Sequence, residues 1–300
     1  MITFLYGNNN YQARQALNKI LQNFVTKEGI ERYDDSLSPA ELPSILTSLS
    51  LFAPERLVVL SGLSANKDTW AALGQEVASI PDEVHVVVHE EQVDKRTKTF
   101  KDLQKLATVV AIDEPTEVEA VQWLIDEATK RGASLASAQA QAIVARVGLN
   151  QWQLHFALEK LVGFDEITHA LIQEIVEATP QASAFELIDA ALGRQPEKVL
   201  AMVKTLRVSE DAYFFFGLLA SQLFQLISLN ATKKSPNLVA KDLGTHPYPL
   251  QKLQGIASRL KANDRKTIAT ILADCDNLLK RSGAEPWLVL EQALLKLASP

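Results

Sequence analysis

Short apolar runs alternate with amphipathic segments over the first 112 residues. Runs typical of strands lie at 2–6, 31–33, 56–60, 84–88 and 108–112, and helix-like segments lie between them at about 10–25, 39–48, 66–79 and 95–106. The run at 84–88 is rich in β-branched residues and nearly continuous, as expected for a strand that is covered on both faces. Alternating strands and helices predict a mostly parallel sheet with helices on both of its faces.

The pattern changes after residue 112, and no convincing strand follows. Helical patterns fit about 136–147, 150–162, 168–178, 196–206, 211–230, 247–261, 264–282 and 286–298, with a polar loop at 231–236. Pro180 marks a further boundary. The fold class is therefore α/β plus all-α, with a parallel-sheet domain at 1–112, a small helical domain at 113–179 and a second helical domain at 180–300.

Four helix starts can be predicted from capping signals, in which a side chain bonds the free N–H groups of the first turn. Ser38 with Glu41, Thr116 with Glu119, and Ser183 with Glu186 have the capping-box spacing. Pro39 would then occupy the first position of its helix. Asp94 is placed to cap the segment at 95–106.

The first apolar run ends at Gly7, where a phosphate-binding loop of the pattern G-x-x-x-x-G-K-[ST] would lie. Three asparagines follow Gly7, and no second glycine lets backbone N–H groups surround an anion. The remaining pattern positions hold Gln12, Ala13 and Arg14. These residues indicate a nucleotide-binding scaffold that acts by binding partners. An active ATPase with a divergent loop and a helical adaptor are the alternatives.

Composition narrows the range of functions. The net charge of −6 argues against a surface that is basic throughout, although one basic face remains compatible with it. Cys275 is the only cysteine, which excludes an internal disulfide and a cysteine-based zinc site and fits a reducing cytoplasm. We expect no signal peptide, and the apolar stretch at 213–229 is predicted to be a buried core helix and not a membrane span.

The sequence offers few candidates for a nucleophile, a general base or metal ligands. The chain has no G-x-S-x-G elbow and no H-E-x-x-H motif. His85 and His89 are expected at a sheet edge, and Glu90 and Glu91 are expected to be solvated strand ends. We therefore expect no catalytic residue, no metal and no cofactor.

Leu51 and Phe52 form an apolar pair in the connection between the second helix and the third strand, just before Pro54. Such connections usually run over the surface and are polar. From the pattern alone, we expect the pair to pack back onto the sheet edge. The alternative is an exposed anchor for a hydrophobic pocket on a partner.

Several short motifs along the chain resemble those of the delta subunit family of the bacterial DNA polymerase III clamp loader. The residues that carry the resemblance are Phe4-Leu5-Tyr6-Gly7 with Tyr11, Ser50-Leu51-Phe52-Ala53 before 56–60, Asp94-Lys95-Arg96-Thr97-Lys98 with Lys101, Leu158-Glu159-Lys160-Leu161, Phe185-Glu186-Leu187-Ile188-Asp189-Ala190, His246-Pro247, and 280–286 followed by Leu288. None of these is specific alone, and their order and spacing together carry the match.

The resemblance implies an AAA+-type α/β domain at 1–112, a helical lid at 113–179 and a helical collar for oligomerisation at 180–300. It implies a non-catalytic subunit of a DNA-directed DNA polymerase holoenzyme that binds neither ATP nor a membrane. The implied partners are the sliding clamp (beta subunit), the gamma/tau ATPase subunits, the delta-prime subunit and primer–template DNA. Leu51 and Phe52, flanked by Ser50, Ala53 and Pro54, become the clamp contact, through which the subunit would open the ring and load it.

A basic cluster begins the fourth helix-like segment and consists of Lys95, Arg96, Lys98 and Lys101. A solvated helix face is the simplest interpretation. Contact with DNA phosphates or another subunit is the alternative, and phosphate contact would make binding depend on salt.

Overall fold

The computed structural model describes residues 1–24, 29–48, 56–281 and 283–299. The chain divides into two compact units. The first comprises Met1–Pro115 with Leu149–Gln153, and the second comprises Thr116–Gly148 with Leu154–Pro300. The further division of the helical part at residue 179 stays a prediction.

The first unit is built on a five-stranded parallel sheet with the order β2-β3-β4-β1-β5. Its strands are β1 Ile2–Tyr6, β2 Ile30–Tyr33, β3 Arg56–Ser61, β4 Val84–Glu90 and β5 Thr108–Ala111. Its helices are α1 Asn10–Gln22, α2 Leu42–Thr47, α3 Lys67–Glu76 and α4 Lys98–Leu106. The predicted parallel α/β fold is confirmed.

Both faces of the sheet are covered, because successive side chains of a strand point to opposite sides. Phe4, Val58 and Val86 share one core with buried residues of α2, α3 and α4. Leu5 and Val87 belong to the other core, which α1 covers. This two-sided burial explains why the strands read as nearly continuous apolar runs.

One predicted helix start is confirmed and one is wrong. Thr116 and Glu119 form a complete capping box at the start of a helix. The start at Ser183 and Glu186 is wrong, because the helix begins at Pro180 after the N-cap Thr179. Proline suits the first helical position, where its missing N–H group has no partner to lose.

The other two predicted starts are also corrected. Glu41 accepts a hydrogen bond from Ser38 N (3.2 Å), but α2 begins only at Leu42, with Pro43 in its first turn. Asp94 does not cap α4. Thr97 is the N-cap and accepts a hydrogen bond from Phe100 N (3.3 Å).

The second unit is helical throughout its described residues. Its helices are α5 Glu117–Lys130, α6 Ser137–Val147, α7 Gln151–Leu161, α8 His169–Ile175, α9 Pro180–Leu192, α10 Pro196–Ser209, α11 Ala212–Thr232, α12 Pro236–Leu243, α13 Pro247–Ala257, α14 Ala262–Arg281 and α15 Pro286–Ala298. The first residues of α7 are grouped with the first unit. Helix α12 was not predicted, and its first residue, Pro236, is the last residue of the segment 231–236 that was expected to be a loop.

Helix α11 is at the centre of the helical core. Phe215, Leu219 and Leu223 are buried in a cluster with residues of α9, α13, α14 and α15. Among the described residues, α11 is also the one helix long and apolar enough to cross a membrane by length and composition. One side of α11 packs in the helical core, and 39% of its most apolar stretch is buried.

We expect Gly7→Ala to destabilise the first unit by about 3 kcal/mol or more, through backbone strain and a clash. Gly7 has φ +133°, and an added Cβ would lie 2.3 Å from the Ile112 carbonyl oxygen. Gly62→Ala is the matched control, because Gly62 has φ +74° and the nearest atom to its Cβ position is 3.9 Å away. The control should cost only about 1–2 kcal/mol of backbone strain. Urea unfolding followed by circular dichroism measures both, and equal losses would contradict the packing argument.

Candidate functional site

The loop after β1 packs closely against the segment that leaves β5. Gly7 N donates to the Glu90 carbonyl (2.9 Å), and Asn9 N donates to the Ile112 carbonyl (3.0 Å). The glycine at position 7 is required for this approach of backbone to backbone.

The side chain of Asn9 caps the start of α1. It is buried, its oxygen accepts from Gln12 N (3.2 Å), and its amide donates to the Asp113 carbonyl (3.2 Å) and to Gln151 Oε1 (2.6 Å). Asn8 accepts from Glu114 N (3.0 Å). A phosphate at a helix N-terminus is held by free backbone N–H groups, and here Gln12 N already has a partner within the protein.

Arg14 stands where the phosphate loop would carry the hydroxyl for magnesium. Its guanidinium carbon lies 5.8 Å from the centroid of a Trp152 ring, a cation–π geometry. Asn8, Asn9 and Arg14 therefore each contact another residue of the same unit.

Glu90 is buried at the carboxyl end of β4, so its prediction as a solvated strand end is wrong. Burial raises the pKa of its carboxyl group, and hydrogen bonds from Ser64 act in the opposite direction. Ser64 Oγ donates to Glu90 Oε2 at 2.6 Å. The carboxylate thus fixes the turn after β3. The predicted strand ended at residue 88. A strand predicted to extend to residue 90 would have indicated that Glu90 belongs to the sheet.

The two histidines of β4 do not lie at a sheet edge, because β4 pairs with both β3 and β1. His85 meets Phe24 edge to face, with ring centroids 4.9 Å apart. Burial lowers the pKa of His89. Within the ranges that the structure describes, no group of three or more His, Cys, Asp or Glu residues is placed to hold a metal ion.

The four cations of the basic cluster are all exposed around the start of α4. Lys95 Nζ lies 4.8 Å from the centroid of the Tyr6 ring. Arg96 pairs with Asp94 (2.9 Å), and its hydrogen bonds lower the pKa of Asp94 to about 2. Lys98 and Lys101 follow on the first turns of the helix.

The predicted clamp contact, Leu51 and Phe52 with Ser50, Ala53 and Pro54, lies outside the described residues. The residues on either side of this segment are described. Arg56, which follows it, is buried, and both of its terminal nitrogens have hydrogen-bond partners. The burial of Arg56 was not predicted from the sequence.

A parallel α/β unit followed by a helical unit defines the fold class as α/β plus all-α. Residues 4–113 match the family described as DNA polymerase III, delta subunit, and residues 181–297 match the description DNA polymerase III delta subunit, C-terminal domain. The chain belongs to the DNA polymerase III delta subunit family.

One solved structure supports this fold. The Bacillus subtilis DNA clamp loader delta protein has a TM-score of 0.76 at 20% identity, covering 99% of this chain and 95% of that one. A DNA polymerase III gamma subunit-related protein from Thermotoga maritima has a TM-score of 0.35 at 10% identity, covering 99% and 94%. No curated protein sequence matches the chain in a direct comparison.

We expect Asn9→Ala to lower the free energy of unfolding by about 1–3 kcal/mol, because it removes a helix cap and two amide hydrogen bonds. Asn8→Ala is the control, since Asn8 is exposed and accepts a single backbone hydrogen bond. Chemical unfolding of the two variants measures the difference. A loss for Asn9→Ala no larger than that of the control would contradict the structural role of Asn9.

Proposed function

We propose that this chain is the delta subunit of a clamp loader, which binds the sliding clamp, opens its ring and takes part in loading it onto primed DNA during replication. The observation that carries the proposal is the family match near both ends of the chain. The likeness of the whole chain to a clamp loader delta protein supports the fold on which the proposal depends.

In this proposal Leu51 and Phe52 are the clamp contact. The support is the resemblance of the motif around them and its place directly before β3. Two apolar side chains that enter a hydrophobic pocket can contribute a few kcal/mol to binding. A clamp with one open interface would be favoured if the subunit binds it more tightly than it binds the closed ring.

The same proposal makes the chain non-catalytic. Its support is the loop after β1. There the Asn9 side chain accepts a hydrogen bond from Gln12 N, and the Arg14 guanidinium makes a cation–π contact with Trp152. The alternative of an active AAA+ ATPase with a divergent loop predicts ATP binding. Calorimetric titration of the full-length chain with Mg-ATP tests it, and saturable binding below about 1 mM, about −4.1 kcal/mol, would favour the alternative.

DNA contact is a further part of the proposal and falls to Lys98 and Lys101. Lys95 and Arg96 already interact with Tyr6 and Asp94, whereas the two lysines extend from the exposed side of α4. Contact with phosphates of primer–template DNA would weaken as salt increases.

We also infer that the exposed face of α11 contacts the neighbouring loader subunits. Phe214 and Phe224 are 52% and 58% exposed, and Gly217 and Ser221 lie between them on the same side of the helix. Two exposed phenylalanines separated by small residues leave room for a helix of another subunit, either an ATPase subunit (gamma/tau) or delta-prime. A replication subunit of this kind acts in the cytoplasm.

We expect Leu51→Ala/Phe52→Ala to weaken binding of the full-length chain to the sliding clamp of the same organism at least tenfold, about 1.4 kcal/mol, because the apolar anchor is lost. Surface plasmon resonance with immobilised clamp measures the affinity, and circular dichroism checks the fold.

Leu106→Ala is the matched control for that experiment, because it removes a leucine that is 52% exposed at the end of α4. It should leave clamp affinity unchanged. If the double variant binds like wild type, the contact lies elsewhere, and if wild type does not bind the clamp, the helical adaptor becomes the better hypothesis.

We expect Phe214→Ser/Phe224→Ser to weaken assembly with the ATPase subunits about tenfold or more, because two exposed aromatic contacts would be lost. Leu238→Ser, which changes a leucine that is 55% exposed on α12, is the control. Sedimentation velocity of the reconstituted loader measures the assembly. Normal assembly of the double variant would rule out this face as the contact.

A further inference from the structure

A cavity of about 430 Å³ lies within the helical unit, between the ends of α9, α13 and α15 and the start of α14. This volume is in the range of about 300–1,000 Å³ that is typical of small-ligand sites. The buried side chains of Ile256, Ile268 and Leu297 form an apolar part of its wall. All of its lining residues belong to the second unit, so the cavity is separate from the proposed clamp and DNA contacts.

Cationic side chains from three places in the chain line this cavity. They belong to the turn between α9 and α10, the connection between α13 and α14, and the end of α15, and they are Arg194, Arg259, Lys261 and Lys296. All four residues are exposed. Like charges that face one cavity repel each other, and apolar walls strengthen their combined field. The arrangement therefore favours a bound anion.

Two carboxylates, Asp189 and Asp264, also line the cavity and offset part of this charge. Asp264 accepts a hydrogen bond from Lys261 N (2.7 Å), and Asp189 lies 3.9 Å from the Arg259 guanidinium. Four cations and two carboxylates leave an excess of two positive charges. Among the residues that the structure describes, the side-chain nitrogens of Arg194, Lys261 and Lys296 have no hydrogen-bond or ion-pair partner.

The backbone holds Arg194 in an unusual conformation. Its φ is +58°, in the left-handed region that favours glycine. Arg194 N donates to the Ala191 carbonyl (3.1 Å), and Gln195 N donates to the Ala190 carbonyl (2.9 Å), which fixes the turn. An arginine at a position where glycine would be free of strain points to a role for its side chain.

We propose that this cavity binds a small anion with more than one negative charge, of the phosphate ester or pyrophosphate class. The guanidinium groups of Arg194 and Arg259 suit pairs of phosphate oxygens, and the lysines add point charges. A single carboxylate would balance only half of the excess charge. Because the cations line a cavity and do not follow a ridge, the site suits a discrete anion better than the backbone of a nucleic acid.

Calorimetric titration of the full-length chain with sodium pyrophosphate, in buffer without magnesium, tests the site. We expect saturable binding with a Kd below about 1 mM and about tenfold weaker binding of inorganic phosphate, which carries fewer charges. Arg194→Gly/Lys296→Ala should weaken pyrophosphate binding at least tenfold, and glycine suits the left-handed backbone at position 194. Circular dichroism checks the fold.

Lys198→Ala/Lys204→Ala is the matched control, because it removes the same charge from exposed positions of α10 outside the cavity. It should bind pyrophosphate like wild type. Absence of saturable binding by wild type would overturn the inference. So would wild-type affinity in the folded Arg194→Gly/Lys296→Ala variant, or an equal loss in the control.

Asp189→Asn distinguishes an anion site from general structural damage. It removes a negative charge from the lining, so we expect it to tighten pyrophosphate binding about threefold, whereas damage to the fold would weaken it. This variant also decides the matter if Arg194→Gly/Lys296→Ala does not fold, because unchanged or weaker binding by Asp189→Asn would contradict the proposal. A short single-stranded oligonucleotide that displaces pyrophosphate and binds more tightly would overturn the assignment to a small anion.

Discussion

Burial of the parallel sheet on both faces is the constraint on which the first unit depends. A charged residue within this sheet must find its partners inside the protein, because water is excluded from both sides. Arg56 meets the condition at the amino end of β3 through Glu31 and the carbonyls of α2. Glu90 meets it at the carboxyl end of β4 through Ser64. The two side chains thereby bind Ser48 and Ser64 at opposite ends of neighbouring strands.

The loop after β1 is held in place by hydrogen bonds within the α/β unit. In open parallel sheets, ligands bind outside the carboxyl ends of the strands, where loops leave in different directions. Here that position is taken up by contacts between residues 7–9 and residues 112–114, together with the side chain of Asn9. These contacts stabilise the α/β unit.

The alternation of strands and helices could be predicted because the apolar runs are short and are separated by amphipathic segments. Helix starts were harder, because several capping residues compete within a few positions. Asp94 and Thr97 both suit a cap, and only the structure assigns the role to Thr97. Helix α12 escaped prediction because it has only 8 residues, and its buried Val239 and Ala240 depend on packing within the helical core.

The roles of Arg56 and Glu90 could not be predicted, because a charge beside an apolar run is usually solvated. What buries them is the end of α2 in one case and the turn at Ser64 in the other, and neither contact is encoded near the residue in sequence. The assignment of Leu51 and Phe52 to the clamp came from the resemblance to the delta subunit family. The local pattern favoured burial against the sheet edge.

Under the proposed function, the source of any ATP dependence lies in the neighbouring subunits, because the loop after β1 of this chain binds no nucleotide and the clamp is bound through Leu51 and Phe52. ATP can then change clamp affinity only by altering contacts between this chain and the subunits that bind ATP. Because coupling between binding sites is reciprocal, a clamp bound to this chain must change the ATP affinity of those subunits by the same factor.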